Sequence, residues 1–170
     1  MNKLTHFSEA GRARMVDVAN KPETQRLAIA SGILRMQPAT LARIRSGSIA
    51  KGEVLTVADV GAVMAAKHTA DIIPMCHTLA LAGVEVVFSD MEADASGCAG
   101  IKVVTTTRCV GQTGVEMEAL CAARVTLLTL YDRRNASDRR QRHENIQHRE
   151  NRRRQGGRRG GGRAGGSSGA

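Results

Sequence analysis

The densest group of residues able to do chemistry lies between positions 67 and 77. Lys67 and His68 precede Pro74, which prevents a helix from continuing. Cys76 and His77 follow in the turn expected there. The pKa of an imidazole is near neutral, so His77 could act as a general acid or base. On spacing alone, a structural histidine is the commoner interpretation.

A second group lies between Gly111 and Leu120 and holds two carboxylates. Gly111 and Gly114 allow a tight turn before a predicted helix, whose free N–H groups favour an anion. Thr113 and Glu116 have the spacing of a capping box, which is the simpler explanation of Glu116. Glu118 is freer to face a ligand.

Two more positions are candidates by context. Lys51 lies in a Gly- and Ser-rich loop without the Walker spacing, so a nucleotide P-loop is not supported and a solvated lysine is the commoner interpretation. Asp132 follows Tyr131 at the end of an apolar helix, where a carboxylate opposes the helix dipole. This unfavourable placement hints at a function for Asp132.

The elements that must position these residues can be predicted from propensity and periodicity. Residues 84–88 and 101–109 are β-branched and flank an acidic, Gly-containing loop, which predicts two strands. Residues 24–36 fit a helix or a strand, and short strands are expected at 4–7 and 15–18. Helices are predicted over 38–44, over 59–70 with Thr56 as a cap, and over 115–131 with Thr113 as a cap.

Charge divides the chain near Asp132. The net charge is +9, yet residues 1–132 hold 13 basic and 13 acidic side chains, whereas residues 133–170 hold 12 arginines and three acids. We expect residues 133–170 to be disordered because they contain too few apolar side chains to form a core. An Arg- and Gly-rich tail also suggests non-specific nucleic-acid binding, although the low aromatic content of 2% argues against base stacking.

Cysteine spacing and hydropathy indicate the cellular compartment of the protein. The four cysteines form no Cys-x-x-Cys pair, so we interpret them as reduced core thiols. No signal peptide or run of transmembrane length is present, which predicts a cytoplasmic protein.

Several segments, taken in order, resemble the cyclic pyranopterin monophosphate synthase family, also called molybdenum cofactor biosynthesis protein C. The resemblance covers nearly all of residues 4–132. Its matching segments are Leu4-Thr5-His6, Met15-Val16-Asp17-Val18, Lys51-Gly52-Glu53, Ala65-Ala66-Lys67, Ile73-Pro74-Met75-Cys76-His77, Thr113-Gly114-Val115-Glu116-Met117-Glu118-Ala119-Leu120 and Leu130-Tyr131-Asp132.

The resemblance implies an α+β, ferredoxin-like subunit with an antiparallel sheet, assembled as a homohexamer of three dimers with active sites between subunits. It implies a lyase that converts (8S)-3',8-cyclo-7,8-dihydroguanosine 5'-triphosphate to cyclic pyranopterin monophosphate and diphosphate, with no metal or other cofactor. The implied catalytic residues are Asp132, His77 and Lys51. The implied substrate-binding residues are Met75, Cys76, His77, Met117, Glu118, Lys67 and Arg26, with Lys51 and Lys67 meeting the triphosphate.

The sequence departs from the family at and after this core. Thr78 replaces the usual proline, and the family's Met-Cys-Lys-Ala after Tyr-Asp is replaced by Arg-Arg-Asn-Ala, which puts Asn135 where the family has a catalytic lysine. We therefore divide the chain into a synthase-like domain, 1–132, and a tail, 133–170. Codons can be chosen for residues 139–155 such that the same nucleotides, read in a frame shifted by one nucleotide, encode a family-like ending. Our hypothesis is that the tail is read out of frame.

Overall fold

The computed structural model describes residues 11–47 and 54–135, which form an antiparallel sheet covered by helices. In chain order the elements are β1 (Thr24–Met36), α1 (Pro38–Arg45), α2 (Val54–Lys67), α3 (Thr69–Ile72), β2 (Leu81–Met91), β3 (Ala99–Gly111) and α4 (116–135). The strands are ordered β1-β3-β2, with β3 central and antiparallel to both neighbours. The expected α+β fold is confirmed, and this strand order is consistent with a ferredoxin-like arrangement.

The ambiguous segment 24–36 is a strand because β3 pairs with all of it. Each β1 residue has a partner on β3, from Thr24 opposite Gly111 to Met36 opposite Ala99. Ala28 and Ala30 are buried, whereas Leu27 and Ile29 on the opposite face are exposed. This alternation is the period of a strand with one covered face.

Small residues let the helices pack closely on that face. The core joins Ile101 and Val103 of β3 to Leu130 of α4. A methyl group at Gly61 of α2 would touch Val125 and Thr129 of α4, and one at Gly32 of β1 would collide with Leu127. α4 therefore packs against both the sheet and α2, which itself lies on β2.

Several predicted boundaries are wrong. α2 begins at Val54, so Thr56 lies inside the helix rather than capping it, and the helix breaks at His68 before α3. α4 begins at Glu116 and the Val115 carbonyl accepts from the Ala119 N–H, so Thr113 lies too early to be the cap. Residues 15–18 form no strand. The predicted strand at 4–7 lies outside the described residues.

The described part of the chain also reaches past the predicted domain boundary. α4 includes Arg133, Arg134 and Asn135, the first three residues of the predicted tail. Arg134 donates from its guanidinium to the Arg35 carbonyl at 3.2 Å and lies 4.8 Å from the centre of the Tyr131 ring. Residues 136–170 lie outside the described residues, so their disorder stays a prediction.

Candidate active site

A cavity of about 400 Å³ opens where three segments meet. The turn after α3 supplies one wall, the start of α4 supplies a second, and the segment before β1 supplies a third. The lining residues are Val16, Val18, Lys21, Met75, Cys76, His77, Leu79, Thr113, Gly114, Glu116, Met117 and Glu118. The two motifs that the sequence singled out therefore line the same cavity.

The first wall contains a strained turn. Ile73 caps α3 by donating to the Thr69 carbonyl at 2.9 Å, and Cys76 donates to the Ile73 carbonyl at 3.3 Å. Between them Met75 has φ of 67°, in the left-handed region that non-glycine residues rarely adopt. Such a conformation costs about 1–3 kcal/mol and is found disproportionately at binding sites. Here it turns the chain so that Met75, Cys76 and His77 all border the cavity.

The imidazole of His77 is fixed by a backbone contact. Its Nε2 lies 2.8 Å from the carbonyl oxygen of Val16. Because a carbonyl only accepts, Nε2 must carry the proton, and in the neutral ring Nδ1 then has the lone pair. His77 is half-buried beside the cavity. The contact thus selects the tautomer in which Nδ1 can take up a proton.

The same contact holds the third wall in place. Within it the Asp17 carboxylate accepts from the Ala19 N–H at 2.9 Å, and the Lys21 N–H donates to the Val18 carbonyl at 2.9 Å. Gln112 also donates to the Ala19 carbonyl at 3.4 Å. These bonds fold residues 16–21 into a compact turn, which explains why this segment is not the strand we predicted.

The second wall is anchored by threonines of β3. Thr105 donates to the Ala119 carbonyl at 2.8 Å, and Thr107 donates to the Val115 carbonyl at 3.1 Å. Both hydroxyls are fully buried. They fix the first turn of α4 against the sheet and hence the position of Glu118.

Glu118 is a buried carboxyl on this wall, with only 4% of its surface exposed. Burial raises the pKa of Glu118, and the nearby Glu116 raises it further, although a backbone N–H opposes the shift. Glu118 therefore holds a proton more readily than an exposed glutamate. A carboxyl that binds its proton more tightly is better suited to act as a general acid.

Cys76 stays a neutral thiol under the same influence. Burial raises the pKa of Cys76, and Glu118 and Cys121 raise it further. All four cysteines, Cys76, Cys98, Cys109 and Cys121, are free. A thiol with a raised pKa is a poor nucleophile, so Cys76 is better suited to contact a ligand than to attack one.

The structure brings together five of the predicted site residues, which are Met75, Cys76, His77, Met117 and Glu118. Lys67 is exposed at the end of α2 and does not line this cavity. Arg26 lines a second cavity of about 410 Å³ with Gln25 and Arg108, and its Nε donates to the Gly111 carbonyl at 3.4 Å. Lys51 lies outside the described residues.

Asp132 is far from the cavity of its own chain. It follows Glu118 by four turns of the same helix, which places the two residues about 21 Å apart at the rise of an α-helix. One subunit therefore cannot bring Asp132 to Glu118. They can share a site only if a second copy supplies one of them.

The sequence analysis missed Lys21, Val16, Val18 and Leu79, which also line the cavity. Two signals lay near them: the apolar run at 15–18, which resembled a short strand, and the family segment Met15-Val16-Asp17-Val18. Across residues 11–47 and 54–135, no group of three or more His, Cys, Asp or Glu could hold a metal ion. Within the same ranges, no helix combines the length and apolar character needed to span a bilayer.

Comparisons with known proteins agree with the motif resemblance. The family model described as MoaC family matches residues 15–157 of the chain, a range that extends past Asp132 into the predicted tail. The chain is also 53% identical over 137 residues to a protein of Desulfitobacterium hafniense named cyclic pyranopterin monophosphate synthase. That match covers 81% of this chain and 81% of the relative.

Proposed function

This chain belongs to the MoaC family, and from that premise we propose that it is a lyase of molybdenum cofactor biosynthesis. Its substrate would be (8S)-3',8-cyclo-7,8-dihydroguanosine 5'-triphosphate, and its products cyclic pyranopterin monophosphate and diphosphate. The observation that carries the proposal is the shared cavity of the Cys76-His77 turn and the start of α4. The relative named as a synthase gives independent support.

The cavity offers the proton transfers that this conversion needs. To close the cyclic phosphate, a hydroxyl oxygen attacks the α-phosphorus and the bond to the departing diphosphate breaks. The hydroxyl proton must pass to a base, and Nδ1 of His77 is the acceptor that the Val16 contact leaves available. Glu118, whose pKa burial raises, is the group suited to donate a proton to an atom that gains negative charge when the ring system opens.

We place Asp132 in the same site through a second copy of the chain. The distance along α4 requires this if Asp132 is catalytic, and a neighbouring subunit can equally supply Lys51, Lys67 or Arg26 to the phosphates. The outer face of the sheet supports self-association, because it exposes large apolar side chains: Leu27, Ile29, Ile33, Val87 and Val110. We propose a homohexamer built as a trimer of dimers. We also propose that the protein acts in the cytoplasm.

Asn135 reduces the rate of this chain in our proposal. It lies in the last described turn of α4, one turn after Asp132, where the motif alignment gives the family a lysine. An amide cannot donate or accept a proton as an amine can. The chain should therefore bind the substrate but convert it slowly.

The test is diphosphate release from the cyclic triphosphate by purified protein. We expect Asn135→Lys to raise the rate about a hundredfold or more, the usual contribution of a proton-transfer residue, while Asn135→Gln leaves it unchanged. A chain that already turns over as fast as Asn135→Lys would contradict the role given to this position. If neither protein bound or converted the substrate, the proposed function would be wrong.

Non-specific nucleic-acid binding is a second candidate, favoured by the 12 arginines of residues 133–170. Such binding would weaken steeply with salt. RNA binding by the full chain and by a chain ending at Asp132, compared at two salt concentrations, separates this activity from the lyase. Equal binding by both chains would exclude the tail as its source.

A further inference from the structure

We propose that Arg134 is a positioning residue for Asp132. Its guanidinium ties the last turn of α4 to the sheet and so holds the Asp132 carboxylate in place to act in the cavity of a second copy of the chain. This inference rests on the proposed function and deepens it. Arg134 replaces the cysteine of the family's Met-Cys-Lys-Ala segment, so the contact is a feature of this chain.

The last turn of α4 needs a contact of this kind. Leu130 is the last fully buried residue of α4 within the described range, and Asp132, which follows it, is exposed. The final carbonyls of a helix have no partner inside the helix, and helix ends fray. A displacement of about 1 Å at a reacting group can lower a rate about a hundredfold. A carboxylate that acts from this turn therefore depends on contacts outside the helix.

Arg134 makes two contacts that meet this need. Its Nη1 donates to the Arg35 carbonyl at 3.2 Å, and its guanidinium carbon lies 4.8 Å from the centre of the Tyr131 ring. A planar guanidinium can donate from its edge while its face stacks on an aromatic ring. Its Nε is buried without a hydrogen-bond partner among the described residues, so the group is packed rather than solvated. The stacked pair, Tyr131 and Arg134, flanks Asp132 on both sides in the sequence.

The carbonyl that receives Arg134 belongs to a well-fixed part of the sheet. Arg35 lies in β1 opposite Gly100 of the central strand β3. Its side chain forms an ion pair with Asp94, in the loop between β2 and β3. Asp94 also accepts from the Cys98 N–H at 3.3 Å, across that loop. The bond from Arg134 therefore joins the end of α4 to a point that both neighbouring strands hold.

Favourable charge at the helix end is the simpler explanation of Arg134. A cation near a helix C-terminus interacts well with the helix dipole, whichever cation it is. Lysine would serve that purpose equally, whereas an ammonium has no planar face that could stack while it donates. Replacement by lysine therefore separates the effect of charge from the effect of the two contacts.

Turnover by the full chain tests the positioning role. The variants are made in a chain that also carries Asn135→Lys. We expect Arg134→Met to lower kcat about ten- to a hundredfold, because Asp132 is no longer held in place. Diphosphate affinity, measured by calorimetry, should not change, because Arg134 does not line the cavity. The control is Arg124→Met, which replaces an exposed arginine of the same helix and should leave kcat unchanged.

Arg134→Lys keeps the charge at the helix end and should unfold at the same urea concentration as its parent. Its kcat should nevertheless fall, because the stacked and bonded guanidinium is lost. A lower kcat in a variant of unchanged stability cannot come from unfolding. A full parental kcat in Arg134→Lys would overturn the inference, since charge alone would then account for Arg134.

Tyr131 provides a spectroscopic readout of the contact. The chain contains one tyrosine and no tryptophan, so tyrosine fluorescence reports on Tyr131 alone. We expect Arg134→Met to change the emission of Tyr131, and Arg124→Met to leave it as in the parent. Unchanged emission in Arg134→Met would show that the guanidinium does not stack on the ring, and the inference would be wrong.

The outcomes distinguish this inference from the proposed function. An unchanged kcat in Arg134→Met would overturn the positioning role and leave the lyase proposal standing. If the Asn135→Lys chain itself failed to convert the cyclic triphosphate, the proposed function would be wrong, and this inference would fall with it.

Discussion

At the residue scale, the chemistry depends on how the protein environment tunes His77 and Glu118. The Val16 carbonyl fixes the His77 tautomer, and burial raises the pKa of Glu118. The sequence could identify both residues because they lie in long motifs. It could not identify Lys21, which becomes part of the cavity only through the turn closed by Val18 and the contact with His77.

The role of His77 as a base predicts a loss of rate without a loss of binding. In a chain that carries Asn135→Lys, His77→Gln should lower kcat by a factor of about 10²–10⁴, since the proton acceptor is removed. Diphosphate affinity, measured by calorimetry, should change little. An unaltered kcat would show that the proton passes to another group.

Burial of Glu118 predicts a specific pH dependence of stability. Because the folded pKa of Glu118 is raised above its ordinary value of 4.5, the folded chain keeps a proton that the unfolded chain releases. The stability linked to this group is fully present below pH 4.5 and is lost as the pH rises through the folded pKa. Glu118→Gln removes this titration.

Urea unfolding from pH 4 to 8 tests this prediction. As the pH rises, the wild type should lose unfolding free energy that Glu118→Gln keeps. The variant should therefore become more stable relative to the wild type. Glu92→Gln, which changes an exposed carboxylate, is the control and should follow the wild type. Parallel curves for Glu118→Gln and the wild type would mean that Glu118 ionises normally in the folded chain.

At the element scale, the site depends on how firmly β3 holds the start of α4. Propensity predicted β3 and α4 as elements, but both predicted threonine caps were wrong. The reason is tertiary: buried hydroxyls of Thr105 and Thr107 on β3 donate to the carbonyls of Ala119 in α4 and of Val115 just before it, and these contacts join segments that no local pattern relates. Pairing with β3 likewise decided that residues 24–36 are a strand.

The hydrogen bond from β3 to α4 predicts that two neighbouring threonines of β3 contribute differently to stability. Thr105→Val keeps the side-chain shape but loses hydrogen bonds to the carbonyls of Ala119 and Ala30, and should lower the unfolding free energy by about 1 kcal/mol. Thr106→Val, on the opposite face of β3, should change it by less than about 0.5 kcal/mol. Urea unfolding measures both, and equal effects would show that the hydroxyl of Thr105 contributes nothing.

At the scale of the whole molecule, one subunit does not contain the complete proposed site. The position of Asp132, four helical turns from Glu118, makes an assembly necessary if both residues act on one substrate. The family resemblance implied this assembly before the position of Asp132 in the subunit was known.

The exposed sheet face predicts how the assembly can be broken. Ile29→Asp places a charge in the centre of the apolar face, where Ile29 is 63% exposed in the single subunit. We expect light scattering to show a smaller particle for Ile29→Asp than for the wild type, and the control Ile29→Val to keep the wild-type size. A wild type that is already monomeric would contradict the proposed assembly.

The tail is a separate question about the gene. If it is read out of frame, the natural codons after Asp132 should encode a family-like ending in an alternative frame. Sequencing the gene decides this, and the hypothesis fails if neither alternative frame gives such an ending.

The most direct test of the central claim is a crystal structure of the chain with the cyclic triphosphate bound. The account predicts the ligand in the cavity between His77 and Glu118, with Asp132 of a second copy facing it. A ligand bound on another surface, or an Asp132 that faces no copy of this cavity in the assembly, would contradict the claim.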